Sequence, residues 1–342
     1  MLGPVKVIET LVNALIDFKE LSIKVFYLDK RIDQKIKMKV SVEQLNWWKF
    51  QFNDFDILHT NGIRPDLFAF LNRKKIKYHI SSIHNFVFED LASTYNKFIS
   101  FLFGNIWLQL WKRADKLVCV SETMKKYYSN WFSSLKMVLI YNGIAGTDNS
   151  LVPDNYIIQA IDRFHSKGLK VIGFAGTLTK IKGIDQAIRL LSVKQKYALI
   201  MLGDGRVRNK LQQLIINLDV SDRCLLCGFR SSAAIYFKYF DYFIMPSRSE
   251  GFGLALVEAV QQKVPVICSD IEVFKELFNE EEVTFFKLDD INSLSDALKE
   301  SVEKGKMKAE MAYKKCINNY TAAIMAKSYY DLYQSATVVG RS

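Results

Sequence analysis

Two glutamates with seven residues between them, in the run Glu250-Gly-Phe-Gly-Leu-Ala-Leu-Val-Glu258, are the residues best spaced for chemistry in this chain. A hydrophobic segment ending in Pro246 and Ser247 comes before them, and Pro265-Val-Ile-Cys-Ser-Asp270 comes after, so the order reads strand, glycine turn, helix. Gly251 and Gly253 let the backbone approach a ligand closely. The first N–H groups of the helix behind them have no intrahelical acceptor and carry partial positive charge. Such a turn suits a phosphate or a sugar rich in hydroxyls. Glu258 follows Glu250 by eight positions, the length of about two helical turns at roughly 3.6 residues per turn. An ionised carboxylate only accepts hydrogen bonds, so two of them on one element can grip hydroxyls at two places.

Lys182, between Gly176 and the helical pattern from Ile184, offers a point charge to an anionic oxygen. His84 ends the strand-like Ser82-Ile-His84 and is followed by the aromatic loop Asn85-Phe-Val-Phe88. It reads either as a packed polar residue or as a group aimed at a cleft. His59 is a weaker candidate, and His79 and His165 read as structural or surface residues.

These side chains must be positioned by alternating strands and helices. Apolar strand-like runs fall at 171–175, 198–202, 224–228, 242–245, 264–269 and 283–288, with helical patterns between them. Alternation of this kind predicts a parallel sheet with helices on both faces, which binds ligands beyond the carboxyl ends of its strands. The first half is less regular, with candidate strands at 23–28, 57–59, 78–83, 117–120 and 138–140. The polar stretch from Asn149 to Asn155 reads as a linker. The chain starts Leu2-Gly3-Pro4 and runs into a helix with Val5, Ile8, Leu11, Val12, Leu15 and Ile16 on one stripe.

At 342 residues, 49% hydrophobic and 24% charged, the chain can build two domains with ordinary cores. Its net charge of +11 fits nucleic acid, an anionic membrane surface or an anionic substrate. No nucleic-acid motif accompanies the charge, which sets the first aside. The five cysteines are odd in number and most lie in apolar runs, as in a reducing compartment. Cys224 and Cys227 read as buried thiols rather than a metal or redox pair. No apolar run reaches the roughly 18 residues of a membrane span. Phe98 to Trp111 comes nearest and is expected to be a mostly buried helix, with a minority reading that gives part of its aromatic face to lipid.

The E-x7-E spacing and its flanks resemble retaining glycosyltransferases of the GT-B fold, family 4, also called glycosyl transferases group 1. The resemblance covers nearly the whole chain. It runs through Asp56-Ile-Leu-His59, Ser82-Ile-His84, Ala114 to Ser121, Tyr141-Asn-Gly143, Gly173 to Gly176 with Lys182-Gly183, Leu202 to Gly205 and Gly228-Phe-Arg230. It implies two doubly wound, Rossmann-like domains facing across a cleft. The first, residues 1–150, would take the acceptor and the second, 151–325, the nucleotide-sugar, with the last helix, 326–342, crossing back to the first. The family's opening strand and most of its glycine loop have no counterpart before Gly3, so the first sheet is expected to lack that strand.

By the same resemblance, Glu250, His84 and Lys182 would do the catalytic work. The donor would contact Gly3, Gly176, Thr177, Lys182, Phe229, Phe252, Gly253, Leu254 and Glu258. Glu258 would hold the ribose, Glu250 and His84 the sugar, and Phe229 would lie near a uracil or guanine base. Thr177 stands where the family often has an arginine, and Lys180 is a candidate substitute. Asp54-Phe-Asp56 spells a D-x-D that holds metal in a different glycosyltransferase fold; here it reads as a polar approach to a strand, and no metal or cofactor is expected. The implied function is transfer of a sugar from a UDP- or GDP-linked donor, with retention, to a lipid-linked glycan acceptor in cell-surface polysaccharide assembly. It would take place in the cytoplasm or peripherally at the anionic inner membrane. The rival readings are an inactive homologue acting as a scaffold and a sugar-nucleotide epimerase of the same fold.

Overall fold

The computed structural model describes residues 3–28, 37–95, 97–148 and 150–339, with the side chains of 93, 94, 338 and 339 excepted. Met1, Leu2, the linker residue Asn149 and the last three residues of the expected crossing helix lie outside the described residues. The chain divides into two compact units, Met1–Ala145 with Asn319–Ser342, and Gly146–Asn318.

In the first unit the helix Gly3–Leu15 comes first and buries Val7, Leu11, Val12 and Leu15. Two short parallel strands follow, β1 (Val25–Tyr27) and β2 (Val42–Gln44). They form a sheet of their own. The strands β3 (Ile57–Asn61), β4 (Tyr78–Ile83), β5 (Lys116–Cys119) and β6 (Met137–Leu139) make a second, parallel sheet in sequential order. The first described element is thus a helix, and among the described residues no strand joins β1 to β3. β2 escaped the sequence reading because Glu43 and Gln44 break any apolar run.

The helix Ala322–Val339 belongs to this unit. Tyr333 and Ser82 sit on the two ring nitrogens of His59, each at 2.8 Å, and the Ser82 and Tyr329 hydroxyls lie 2.8 Å apart. Phe18 stacks on Tyr330 at 4.4 Å.

The helix Lys97–Lys112 corrects the expectation of a mostly buried element. Phe98 is 75% exposed and Phe101 66%, and Leu102, Phe103 and Ile106 are exposed as well. Its inward face is fixed by two devices. Trp107 and Trp111 both donate their indole N–H to Oδ2 of buried Asp66, at 2.8 and 2.9 Å. Gly104 lies so close to the ring of Phe88 that an added Cβ would sit 2.4 Å from it. With Leu108, Leu110 and Trp111 turned inward, the opposite stripe has nothing left to bury against.

Asp66 also accepts from Thr60 and Ser81 at Oδ1, at 2.6 and 2.7 Å. Burial raises its pKa, and these four donors oppose the rise. The two Asp66 oxygens thus share four hydrogen-bond donors.

The second unit is a six-stranded parallel sheet. Its strands are β7 (Lys170–Ala175), β8 (Tyr197–Leu202), β9 (Cys224–Leu226), β10 (Tyr242–Met245), β11 (Val266–Ser269) and β12 (Thr284–Phe286), in the order β12-β11-β10-β7-β8-β9. Phe174, Leu199, Met201, Ile244 and Ile267 are fully buried in its core. Strands buried on both faces read as continuous apolar runs, which is why all six were legible in the sequence.

Candidate active site

The strand order of the second unit reverses between β7 and β10. These two strands pair side by side while their following connections run to opposite ends of the sheet. A doubly wound sheet opens a crevice at the carboxyl ends of its strands at such a point. The loops leaving β7 and β10 carry Lys182 and Glu250.

Lys182 Nζ lies 2.5 Å from Glu250 Oε1, and Ser247 Oγ donates to the same oxygen at 2.8 Å. The Glu250 side chain is only 8% exposed and that of Lys182 24%, so the pair is screened far less than a surface ion pair. Arg248 clamps the two loops from behind. Its guanidinium meets Asp185 through two bonds of 3.0 Å, donates to the Lys180 carbonyl at 2.8 Å and pairs with Asp289 at 2.5 Å. These partners hold it charged, well above the ordinary arginine range.

Gly183, at φ +62°, packs so tightly that an added Cβ would lie 2.0 Å from the Pro246 carbonyl oxygen. Buried Gln186 donates to Pro246 O at 2.9 Å and accepts from the Asp289 N–H at 2.8 Å. Ser247, Arg248, Gln186, Asp185 and Asp289 escaped the sequence reading. The proximity of Ser247 and Arg248 to Glu250 was the available signal, because Gln186, Asp185 and Asp289 come together with them only through packing.

Gly253 caps the helix Leu254–Gln261 at φ +93°, a conformation glycine adopts without strain. By helix geometry the N–H groups of Leu254 and Ala255 have no intrahelical acceptor. Phe252 is buried beside this turn, and Glu258 is half-buried on the helix. Gly176 donates its N–H to Leu202 O at 3.0 Å, and Thr177 and Lys180 are exposed on the same loop. Gly203 and Gly205 press against this loop: an added Cβ would lie 1.9 Å from Gly176 O and 2.3 Å from Leu178 O respectively. The Gly-Asp-Gly motif therefore serves backbone packing between neighbouring loops. Phe229 follows the turn at Gly228 and is 46% exposed beyond the end of β9, with Arg230 paired to Asp154 at 3.1 Å.

The remaining candidates lie in the first unit. His84, just past β4, is bonded through Nε2 to Asn61 Oδ1 at 2.9 Å. The amide oxygen only accepts, so Nε2 carries the proton. Burial lowers the His84 pKa to about 4, leaving the ring neutral at pH 7. Gly3 is exposed at the start of the helix Gly3–Leu15. His59 and His79 are both lowered to about 3, chiefly by burial. His79 lies 2.8 Å from Thr60 Oγ1 in the Asp66 network, and its role is structural. All five cysteines are buried and unpaired, and burial pushes the Cys224 thiol up to about 12 and that of Cys227 to about 11. Asp56 of the D-x-D pairs with Lys77 at 2.9 Å. Among the described residues no three His, Cys, Asp or Glu side chains gather as a metal site.

Residues 159–316 match the family described as "Glycosyl transferases group 1", and residues 25–145 match "Glycosyltransferase Family 4". The chain is similar to the O-antigen biosynthesis glycosyltransferase WclY of Escherichia coli, 31% identical over 97% of this chain and 95% of the relative. A more local likeness, 31% over 42% of this chain and 40% of the relative, is to a Campylobacter jejuni protein. Its name is N-acetylgalactosamine-N,N'-diacetylbacillosaminyl-diphospho-undecaprenol 4-alpha-N-acetylgalactosaminyltransferase. Among solved structures, HepE from Anabaena in complex with UDP-glucose superposes with a TM-score of 0.78 at 14% identity, covering 98% of this chain and 96% of HepE. Sucrose-phosphate synthase from Thermosynechococcus elongatus superposes at 0.79 and 15% identity, over 97% and 93%. The fold is GT-B, with two Rossmann-like domains. A nearly full-length relative above 30% identity, together with family matches over both halves, places the chain in the glycosyl transferases group 1 family, and it is a glycosyltransferase.

Proposed function

We propose that the chain transfers a hexose-type sugar from a UDP- or GDP-linked donor, with retention at the anomeric carbon, to a lipid-linked glycan in O-antigen assembly. The observation that carries this reading is the Lys182–Glu250 pair at the carboxyl ends of β7 and β10, beside the free helix N-terminus at Gly253. An anion clamp and a hydroxyl acceptor then stand side by side where a doubly wound sheet takes its ligand. The names of the E. coli and C. jejuni relatives support the pathway and the lipid-linked acceptor, and the UDP-glucose complex of HepE supports a nucleotide-sugar donor.

In this reading the bond from the sugar C1 to the diphosphate oxygen breaks while the acceptor oxygen bonds to C1 on the same face. The acceptor's proton passes to the departing phosphate oxygen. Lys182, which has three N–H donors and uses one on Glu250, meets the diphosphate together with the N–H groups of Leu254 and Ala255. Glu250 uses Oε1 for Lys182 and Ser247, and Oε2 is the oxygen assigned to the sugar hydroxyls. Glu258 takes the ribose, Phe229 lies near the base, and neutral His84 is assigned to a sugar hydroxyl. No metal enters this scheme, since lysine and helix dipole carry the neutralisation. The work belongs at the cytoplasmic face of the inner membrane.

The test is the thermal shift with UDP, GDP and ADP in the wild type and in Lys182→Ala, followed by turnover of the matching sugar nucleotides. One nucleotide should stabilise the wild type, by about 2.7 kcal/mol at roughly a hundred times its Kd. Lys182→Ala and Glu250→Ala should each lose about a hundredfold in kcat/KM. Wild-type turnover in both variants would remove the pair from the mechanism, and a product of inverted anomeric configuration would remove retention.

A further inference from the structure

We propose that the outward face of the helix Lys97–Lys112 is a docking surface for an anionic phospholipid bilayer. The surface is defined by Phe98, Phe101, Leu102, Phe103 and Ile106, all exposed. Phe98, Leu102 and Ile106 recur at every fourth position, so they form one stripe along the helix, and Phe101 stands beside it. The stripe is pinned rather than loose. On the opposite side Trp107 and Trp111 hold Asp66, and Ser100 donates to Phe88 O at 2.9 Å. A contiguous group of large apolar side chains presented by a fixed helix is the signature of an interaction surface.

Charge selects the occupant. The helix contains no acidic residue and is bounded by exposed Lys97 at its start and Lys112 and Arg113 at its end. The acids nearest in sequence are Asp115, which is taken up by Arg73 at 2.5 Å and by the His79 N–H at 2.7 Å, and Glu89 and Asp90 on the preceding helix Val87–Thr94, where Asp90 already accepts from Asn85. An apolar stripe between basic ends suits a helix lying in the interfacial plane, with rings among the acyl chains and cations at the phosphates. A second copy of the chain fits less well, because each copy carries a net charge of +11 and would bring the same basic ends together. The membrane is met from one side only, since no helix among the described residues is long and apolar enough to cross it.

This inference deepens the reading of a membrane-borne acceptor, and it is tested without turnover. The whole chain is sedimented with vesicles of phosphatidylglycerol and phosphatidylethanolamine, and with vesicles of phosphatidylcholine alone. The wild type should pellet with the anionic vesicles and stay in solution with the neutral ones. Replacing Phe98, Phe101 and Leu102 together by Ser should lower the bound fraction by about tenfold or more. Lys97→Glu with Lys112→Glu, which alters only exposed side chains, should lower it too and decides the matter if the serine variant fails to fold.

The nucleotide-induced thermal shift should be unchanged in both variants. Its absence from the wild type would count against the glycosyltransferase site assignment and leave the surface standing. Wild-type protein that ignores anionic vesicles, or variants that bind them as well as the wild type, would overturn the proposal. So would a vesicle-free dimer that the serine variant abolishes, which would give the face to a second copy.

Discussion

At the scale of single residues, burial decides which groups are charged. His59, His79 and His84 are held at about 3, 3 and 4, below the 6.5 of an exposed histidine. The unfolded chain therefore takes up protons first as pH falls below 6.5. The stability these rings contribute is complete above that value and is lost on acidification toward their folded values. The expected slope is about 1.4 kcal/mol per pH unit for each ring. Melting temperature should drop between pH 6.5 and 5, before most carboxylates titrate; a flat profile over that window would mean the rings protonate freely in the folded protein. Glu250 shows the opposite use of burial. Its partners Lys182 and Ser247 are supplied within one unit, so in the proposed mechanism it would meet the sugar already oriented, the arrangement that makes electrostatic stabilisation effective.

At the scale of elements, the site is two loops welded together. Lys182 and Glu250 are on separate loops, and their pairing depends on Arg248, Gln186 and the close approach of Gly183 to Pro246. Gly183→Ala should force the β10 loop outward, because the clash is with backbone and the φ of +62° strains any side chain. About 2–3 kcal/mol of stability should be lost. Nucleotide affinity should fall with it, although no contact to the ligand is removed. Urea unfolding and nucleotide thermal shift, read on the same variant, would separate this outcome from a purely structural defect, in which affinity would survive.

At the scale of the whole molecule, the chain returns to its first unit at the end. Residues 319–339 pack with the first unit, through Tyr329 and Tyr333 on the His59–Ser82 pair and through Thr321 beside Ile144. All five tryptophans, at 47, 48, 107, 111 and 131, lie in that unit. Tryptophan fluorescence therefore reports on it alone. Ending the chain at Asn318 should abolish its cooperative transition, a loss comparable to the about 5–15 kcal/mol that holds a domain together. The nucleotide-dependent shift of Gly146–Asn318 should persist. An unchanged tryptophan transition would show that the last helix is dispensable for the first unit.

The sequence by itself determined the parallel sheet of the second unit, the glycine turn before the Leu254 helix and the identity of Lys182, Glu250 and Glu258 as candidates. Each of these is local, written as apolar runs or as glycine spacing that backbone geometry dictates. Tertiary structure alone decided that Lys182 and Glu250 touch, because their separation of 68 positions is closed only by the β7–β10 pairing. It alone disclosed the Arg248 clamp, which draws on Asp185 and Asp289 from elements far apart in the chain. It also reversed the expectation for the Lys97–Lys112 helix. A run of aromatic and aliphatic residues looks the same in sequence whether it is covered or bare, and only the packing of its neighbours against Asp66 and Phe88 shows which face was left uncovered.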